Sequence, residues 1–428
     1  MEREAFLSSW WGKAAGATVS SPSGAVYTIR YPGRLNGSAG PDYRGAVLDD
    51  GSRTLLGDVE LHVHSSDWRR HGHDSDHAYD GVVLHVVLDD DSCTRTTLAS
   101  GAPVPVAVAD IGRYVSAAGA LPCADLYSMR SGRVVEVLET QGIARLLLKG
   151  RHVEAEIRRT GEQREMLRLV ARSLGYSSNA GPCEEVARLV SDSSIADCLK
   201  HCDAMERRAL VLGIAGLLPS QRHADGALSS GESCVYEVVW RGMGIKSLAM
   251  RRSRWRLGCI YPNNHPVRRM IGLADLLPTL PDVMDKVRRI GCEEGQEGGF
   301  AAGLEPVMLV AGDPYWRTHY DFGRTTHCSN VVGRGKAREI VVNALVPLAF
   351  AVATSRGGVR SLARLAAALR AYPACQPNAV TKHMSMQLGM ERTAIPALQT
   401  QGMLRIFTTY CTRGLCEECP LGKSPIAL

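Results

Sequence analysis

The 428-residue sequence predicts an α+β protein, with a mixed-sheet α/β domain over residues 1–125 followed by a mostly α-helical domain over residues 126–428. Three observations lead there. Between residues 25 and 109, short apolar-rich runs with period-two alternation are separated by turn-forming Gly, Pro and Asp residues. Beyond about residue 125, apolar positions recur at helical spacing in segments parted by short loops. A chain of this length also exceeds one ordinary core, so two or three domains are expected.

Taken in order, residues 2–14 are expected to form a helix with Phe6 and Trp10 on one side. AVYTIRYPG (25–33) reads as a strand ended by a turn, YRGAVLDDG (43–51) as a second strand and turn, and TLLGDVELHVH (54–64) as a third strand. SDWRRHGHDSDHAYD (66–80) has no strong period and reads as a loop or short helix, with Ser66 or Asp67 as N-cap. VVLHVVL (82–88) is apolar on both faces except at His85, as a central strand is. PVPVAVA (103–109) is a last extended piece. Helical segments follow from residue 131 onwards, with no repeat of fixed period.

The composition, 45% hydrophobic and 22% charged, is that of a globular chain and excludes gross disorder. A net charge of +6 permits a polyanionic partner such as DNA or RNA. Thirteen cysteines, mostly scattered singly, do not make a secreted disulfide scaffold and fit a reducing compartment. The first residues are acidic where a signal peptide is basic. The longest apolar stretch, 340–353, is interrupted by Asn343 and Pro347. A cytoplasmic protein without a membrane span is expected; the oligomeric state is not legible.

Three groups of residues are candidates for chemistry. In DVELHVH, alternation puts Glu60, His62 and His64 on one face of a strand and Val59, Leu61 and Val63 on the other. Asp42 begins the preceding strand, so two carboxylates on adjacent strands approach one another and offer hard oxygen donors to Mg²⁺ or Mn²⁺. An ion there polarises a phosphodiester oxygen and activates a water. Asp42, Glu60 and His62 are therefore the expected catalytic set, with His64 beside substrate. The same stretch holds six of the thirteen histidines, His62, His64, His71, His73, His77 and His85. H-x-H on a strand, completed by Asp67 or Asp76, is a competing zinc site and hence a zinc-dependent hydrolase. The third group is YCTRGLCEECP, where Cys411, Cys416 and Cys419 are spaced C-x4-C-x2-C. Three local thiolates select Zn²⁺ or an iron–sulfur cluster, with Cys123 or Cys328 as the fourth ligand.

Basic residues supply expected contacts to a polyanion. Arg251, Arg252 and Arg254 cluster around Trp255, and Arg268 and Arg269 follow YPNNHP at a helix start, where an anion is favoured.

GPD followed eighteen positions on by E-x-H resembles the PD-(D/E)XK nuclease superfamily, with His62 where that family has lysine. The resemblance implies a nuclease-like core in which Asp42 and Glu60 ligate the metal, the Leu61 carbonyl adds an oxygen, and His62 meets the attacking water or the scissile phosphate. Over a longer span, GRLN-x3-GPD, HGH-x2-D, LGYSSN, YPNNHPVRRM, YWRTHYDFG, VVNALVP and the final cysteines together resemble an uncharacterised bacterial family, number 2851 of the domains of unknown function. That family brings no activity. The expectation from the residues is a metal-dependent nuclease or phosphodiesterase acting on nucleic acid. The alternatives are the zinc-dependent hydrolase and a non-catalytic binding module with a structural metal site.

Overall fold

The alternating run TLLGDVELHVH forms the longest strand of the protein, and a ring of shorter strands is built around it. In the computed structural model, which describes residues 2–91, 95–109, 121–222, 231–245, 248–258, 260–290, 303–355 and 358–423, a first helix α1 (Glu2–Trp11) is followed by β1 (Thr18–Ser20), β2 (Val26–Tyr31), β3 (Arg34–Leu35), β4 (Tyr43–Asp49) and β5 (Thr54–His64). A short helix α2 (Asp67–Arg70) then leads to β6 (Val82–Asp89) and β7 (Val106–Val108).

The strands are ordered β2-β1-β7-β6-β5-β4-β3, and β2 also pairs with β4, so six of them close on themselves and β3 extends β4. Closure removes the open edges that a sheet otherwise presents to other chains. β5, β6 and β7 run parallel to their neighbours in that trio, and the other pairs are antiparallel. The sheet is therefore mixed, as the sequence predicts. β1 and β3, three and two residues long, are too short to carry a periodic signal and were not expected.

Val59 and Leu61 of β5 join Ile29, Leu48, Leu84 and Val86 in one core with Leu7, Trp10 and Trp11 of α1. That assignment sends Glu60 and His62 to the opposite face of β5. Trp11 donates its indole N–H to the Pro32 carbonyl at 2.9 Å, which ties the helix to the turn between β2 and β3.

The chain packs as two units. The first comprises residues 1–142, 377–395 and 399–428; the second comprises 143–376 and 396–398. The change of composition near residue 125 marks where helices begin, whereas the packing division comes later, inside the helix Leu126–Thr160. The C-terminal residues expected in the helical domain return to the unit that holds the sheet. There Met384, Leu388, Met403 and Ile406 share a core with Tyr31 of β2 and Val47 of β4.

The second unit is helical around a large apolar core. Its run Arg334–Ser355 is one continuous helix by length, and 78% of its most apolar window is buried in protein. Asn343 and Pro347 were expected to interrupt it. Pro347 has no N–H for the Asn343 carbonyl, and a π turn at Val341–Leu345 carries the helix past that gap.

Candidate metal centre

Asp42 lies just ahead of β4, whose Tyr43 is paired with Val59 of β5, so the two acids meet across adjacent strands. The Asp42 N–H donates to Glu60 Oε2 at 2.9 Å, and the Leu61 N–H donates to Asp42 Oδ2 at 3.1 Å. Each carboxylate thus has one oxygen held by a backbone amide. Burial, and then the nearby Glu60 charge, push the Asp42 carboxyl up to about 7. Two acids this close disfavour joint ionisation unless a cation stands between them.

Two further imidazoles arrive through a helix end. The Gly72 N–H bonds to the Arg69 carbonyl at 3.0 Å and the His73 N–H to the Trp68 carbonyl at 3.0 Å, the paired bonds of a Schellman motif closing α2. Gly72 has φ of +76°, a left-handed conformation that costs a side-chain-bearing residue about 1–2 kcal/mol. His71 and His73 flank this glycine. The apolar contact that accompanies such motifs is made by Trp68 and His73, whose rings stand edge to face at 5.5 Å. His73 is also stacked on Tyr79 at 3.8 Å, which fixes its plane. The H-G-H sequence looked like an irregular loop; its helix-capping geometry is what aims both rings back at the sheet.

The donor atoms converge. His62 Nε2 lies 3.1 Å from His71 Nδ1 and 3.5 Å from Glu60 Oε1, and His73 Nε2 lies 3.2 Å from the same Glu60 oxygen. Ligand atoms of His62, His71 and His73 all fall within 4.8 Å of one another. Donors on one tetrahedral zinc, at about 2.0–2.1 Å from the ion, stand roughly 3.3 Å apart. His73 Nε2 is buried and has no aligned hydrogen-bond partner despite the short contact to Glu60, which is the state of an atom that a cation would satisfy. His62 and His73 are buried while His71 is exposed, so the cluster opens to solvent on one side.

Behind the cluster, His85 of β6 sits opposite Glu60 in the parallel ladder and is wholly buried. Its Nε2 is 2.9 Å from His62 Nδ1. Burial first, then the neighbouring imidazoles, hold His62 down at about 2, and burial holds His85 at about 3. Both rings are neutral at physiological pH, as metal-ligating imidazole must be. In the tautomer whose His62 Nδ1–H donates to His85, the His62 Nε2 lone pair faces His71, Glu60 and His73 and is the one available to an ion. In the sequence His85 is the polar exception in a central strand, and its position against His62 became visible only with the strand register.

The other expected site residues divide. His64 shares the face of His62 but turns to the acidic turn, 3.4 Å from Asp89 and 3.8 Å from Asp91, and does not join the cluster. Asp67 faces Arg70 at 2.5 Å and accepts from the His64 N–H, and Asp76 caps Ala78, so neither completes a zinc set. Arg251, Arg252 and Arg254 are exposed in the second unit, Arg254 paired with Glu185 at 2.8 Å. Arg268 and Arg269, expected to contact phosphate, are 0% and 4% exposed. The Arg268 guanidinium donates to the carbonyls of Trp316, His319, Cys328 and Asn330, and Arg269 to Val331 O and Asn264 Oδ1. Their cations hold the second unit's loops together and present no face to a polyanion.

Cys411, Cys416 and Cys419 fall in the first unit with Cys123; Cys328 falls in the second. Burial raises the thiols of these four first-unit cysteines, Cys123 to about 11, and the four sense one another's charge.

Fold and site together define an α+β protein with a closed mixed sheet and a three-imidazole, two-carboxylate cluster over its longest strand. The chain belongs to the family described as a protein of unknown function, DUF2851, whose model matches residues 4–377. The match ends before Cys411, Cys416 and Cys419. No curated protein and no solved structure matches the chain.

Proposed function

We propose that the protein is a metal-dependent hydrolase whose ion is bound by His62, His71 and His73 beside Glu60, and that phosphodiester bonds of nucleic acid are its substrate class. The observation that carries this reading is the convergence of three imidazole nitrogens within 4.8 Å of one another, with Glu60 Oε1 3.5 Å from that of His62 and 3.2 Å from that of His73. Three nitrogen donors select zinc over magnesium and leave the fourth position open to water. This moves the ion from the Asp42–Glu60 pair, where the sequence pattern put Mg²⁺ or Mn²⁺, to the imidazole side of Glu60. When bound, such an ion supplies Lewis acidity and an activated water. Of the chain's own groups, Glu60 is oriented by the Asp42 amide, His62 by His85, and Asp42 stands next to Glu60 as the carboxylate that accepts a proton from the water. The exposed edge at His71 is the route by which substrate enters. The polyanionic substrate is supported by the net charge of +6 and by the Asp42, Glu60, His62 pattern.

The test is zinc-dependent cleavage of single- and double-stranded DNA and RNA by purified protein, with His62→Ala, His73→Ala and Asp42→Asn as variants. Cleavage restored by zinc to the chelated protein and lost in all three variants is expected. Stoichiometric zinc binding without cleavage of any nucleic acid would remove the substrate assignment. Absence of zinc binding would remove the centre itself.

A further inference from the structure

The first unit is made of chain segments far apart in sequence: residues up to 142, and then the returning segments 377–395 and 399–428. Four cysteines lie near their ends. Cys123 lies just before the helix Leu126–Thr160, and Cys411, Cys416 and Cys419 follow the helix Ala397–Thr409. Cys123, Cys411 and Cys419 belong to one buried core with Tyr31, Val47 and Leu126. The Cys419 N–H bonds to the Cys416 carbonyl at 3.2 Å, so the last two thiols sit on one tight turn. All four are free thiols.

The sulfurs of this group are buried or half-buried, and a donor reaches one of them. Gln387 donates Nε2–H to Cys123 Sγ at 2.9 Å, and the chain folds tightly after Cys419, whose carbonyl accepts from the Gly422 and Lys423 amides at 3.0 and 2.8 Å. Gly414, with φ of +65°, turns the chain between Cys411 and Cys416 where a Cβ would press on Val47 and Arg30. An amide-to-sulfur bond such as that from Gln387 stabilises a thiolate ligand and tunes a cluster's potential. Spacing distinguishes the metal class. On one tetrahedral zinc, with Zn–S near 2.3 Å, sulfurs stand roughly 3.8 Å apart. Among the described residues, donor sets whose atoms all lie within 4.8 Å of one another include the three histidines and no trio of these sulfurs. A wider cradle suits a polynuclear cluster, in which each thiolate has its own iron.

We infer that Cys123, Cys411, Cys416 and Cys419 bind a [4Fe–4S] cluster that fastens the C-terminal segment to the sheet-bearing part of the first unit. Cys123 is the fourth ligand and Cys328 is not. The site is independent of the histidine centre and stands or falls separately from it.

The experiment is anaerobic purification of the full chain with iron and acid-labile sulfide determination, together with Mössbauer spectra of the iron-57-labelled protein. About four irons and four sulfides per chain, with a cluster spectrum, are expected. Cys416→Ser, at a partly exposed position that the fold tolerates, lowers bound iron several-fold, as does Cys123→Ser; Cys328→Ser and His62→Ala leave it unchanged. One zinc per chain on these thiols with no sulfide overturns the inference, as does metal-free protein or iron retained in Cys416→Ser.

Discussion

Replacing His85 by Phe keeps a flat ring of similar size in a fully buried position on β6 and removes one hydrogen bond, the 2.9 Å contact of its Nε2 with His62 Nδ1. The ring of His62 stands edge-on to it at 5.0 Å and Trp68 packs at 5.1 Å, so the packing survives. In the zinc-bound protein His62 then carries a buried Nδ1–H without an acceptor, at a cost of about 1–3 kcal/mol. The metal-free ring escapes that cost by holding its proton on Nε2, towards Glu60 and His71, so the loss appears in affinity. The affinity also loses the orientation and basicity that the second imidazole gives Nε2. Outer partners of this kind are worth about 10–100-fold in metal affinity, or roughly 1.4–2.8 kcal/mol. Zinc titration against a competing chelator, on parent and His85→Phe side by side, isolates the effect because every cysteine is common to both. Affinity within twofold of the parent would falsify the claim that His85 acts on the ion through His62.

Other outcomes follow from neighbouring contacts. Gly72→Ala forces a side chain into φ of +76° and is expected to lower unfolding stability by about 1–2 kcal/mol and to weaken zinc binding by displacing His71 and His73; unchanged zinc affinity would detach the helix cap from the site. Arg268→Met strips the donor from four carbonyls in the second unit and should cost at least about 3 kcal/mol in urea unfolding, whereas Arg251→Ala, at the exposed surface, stays within about 0.5 kcal/mol. His265 is buried against Asp321, Arg222 and Arg324, and burial holds its folded pKa near 4 against 6.5 when unfolded. Between these values the unfolded chain binds the proton more strongly, so this contribution is complete above pH 6.5 and is lost as pH falls towards 4, by up to about 3 kcal/mol. Chemical denaturation from pH 7.5 to 4 should show a shallower decline in His265→Gln than in the parent.

Much of the sheet was legible because its strands are long enough to show a period. The run 54–64 became a strand with those bounds, and the alternation in DVELHVH put Glu60 and His62 on the face opposite Val59 and Leu61. Sequence spacing also brought Asp42 to Glu60. What escaped was non-local or too short. Closure of the sheet rests on β2 meeting β4 and on three-residue β1, and pairing between strands has no signature in composition. The partners of His62 depend on parallel register with β6 and on a glycine cap, which only the pattern of a short helix followed by H-G-H hinted at. Arg268 and Arg269 misled because a basic pair at a helix start looks the same whether the guanidinium meets a phosphate or a set of loop carbonyls. The return of the C-terminal cysteines to the sheet unit lies beyond any local signal.

The central claim is that one ion sits among His62, His71, His73 and Glu60. Zinc K-edge absorption of protein loaded with one equivalent of zinc addresses it directly. Nitrogen and oxygen neighbours at about 2.0–2.1 Å are expected, with imidazole outer-shell scattering that disappears in His62→Ala. A sulfur-dominated first shell, or a spectrum that His62→Ala leaves untouched, would contradict it.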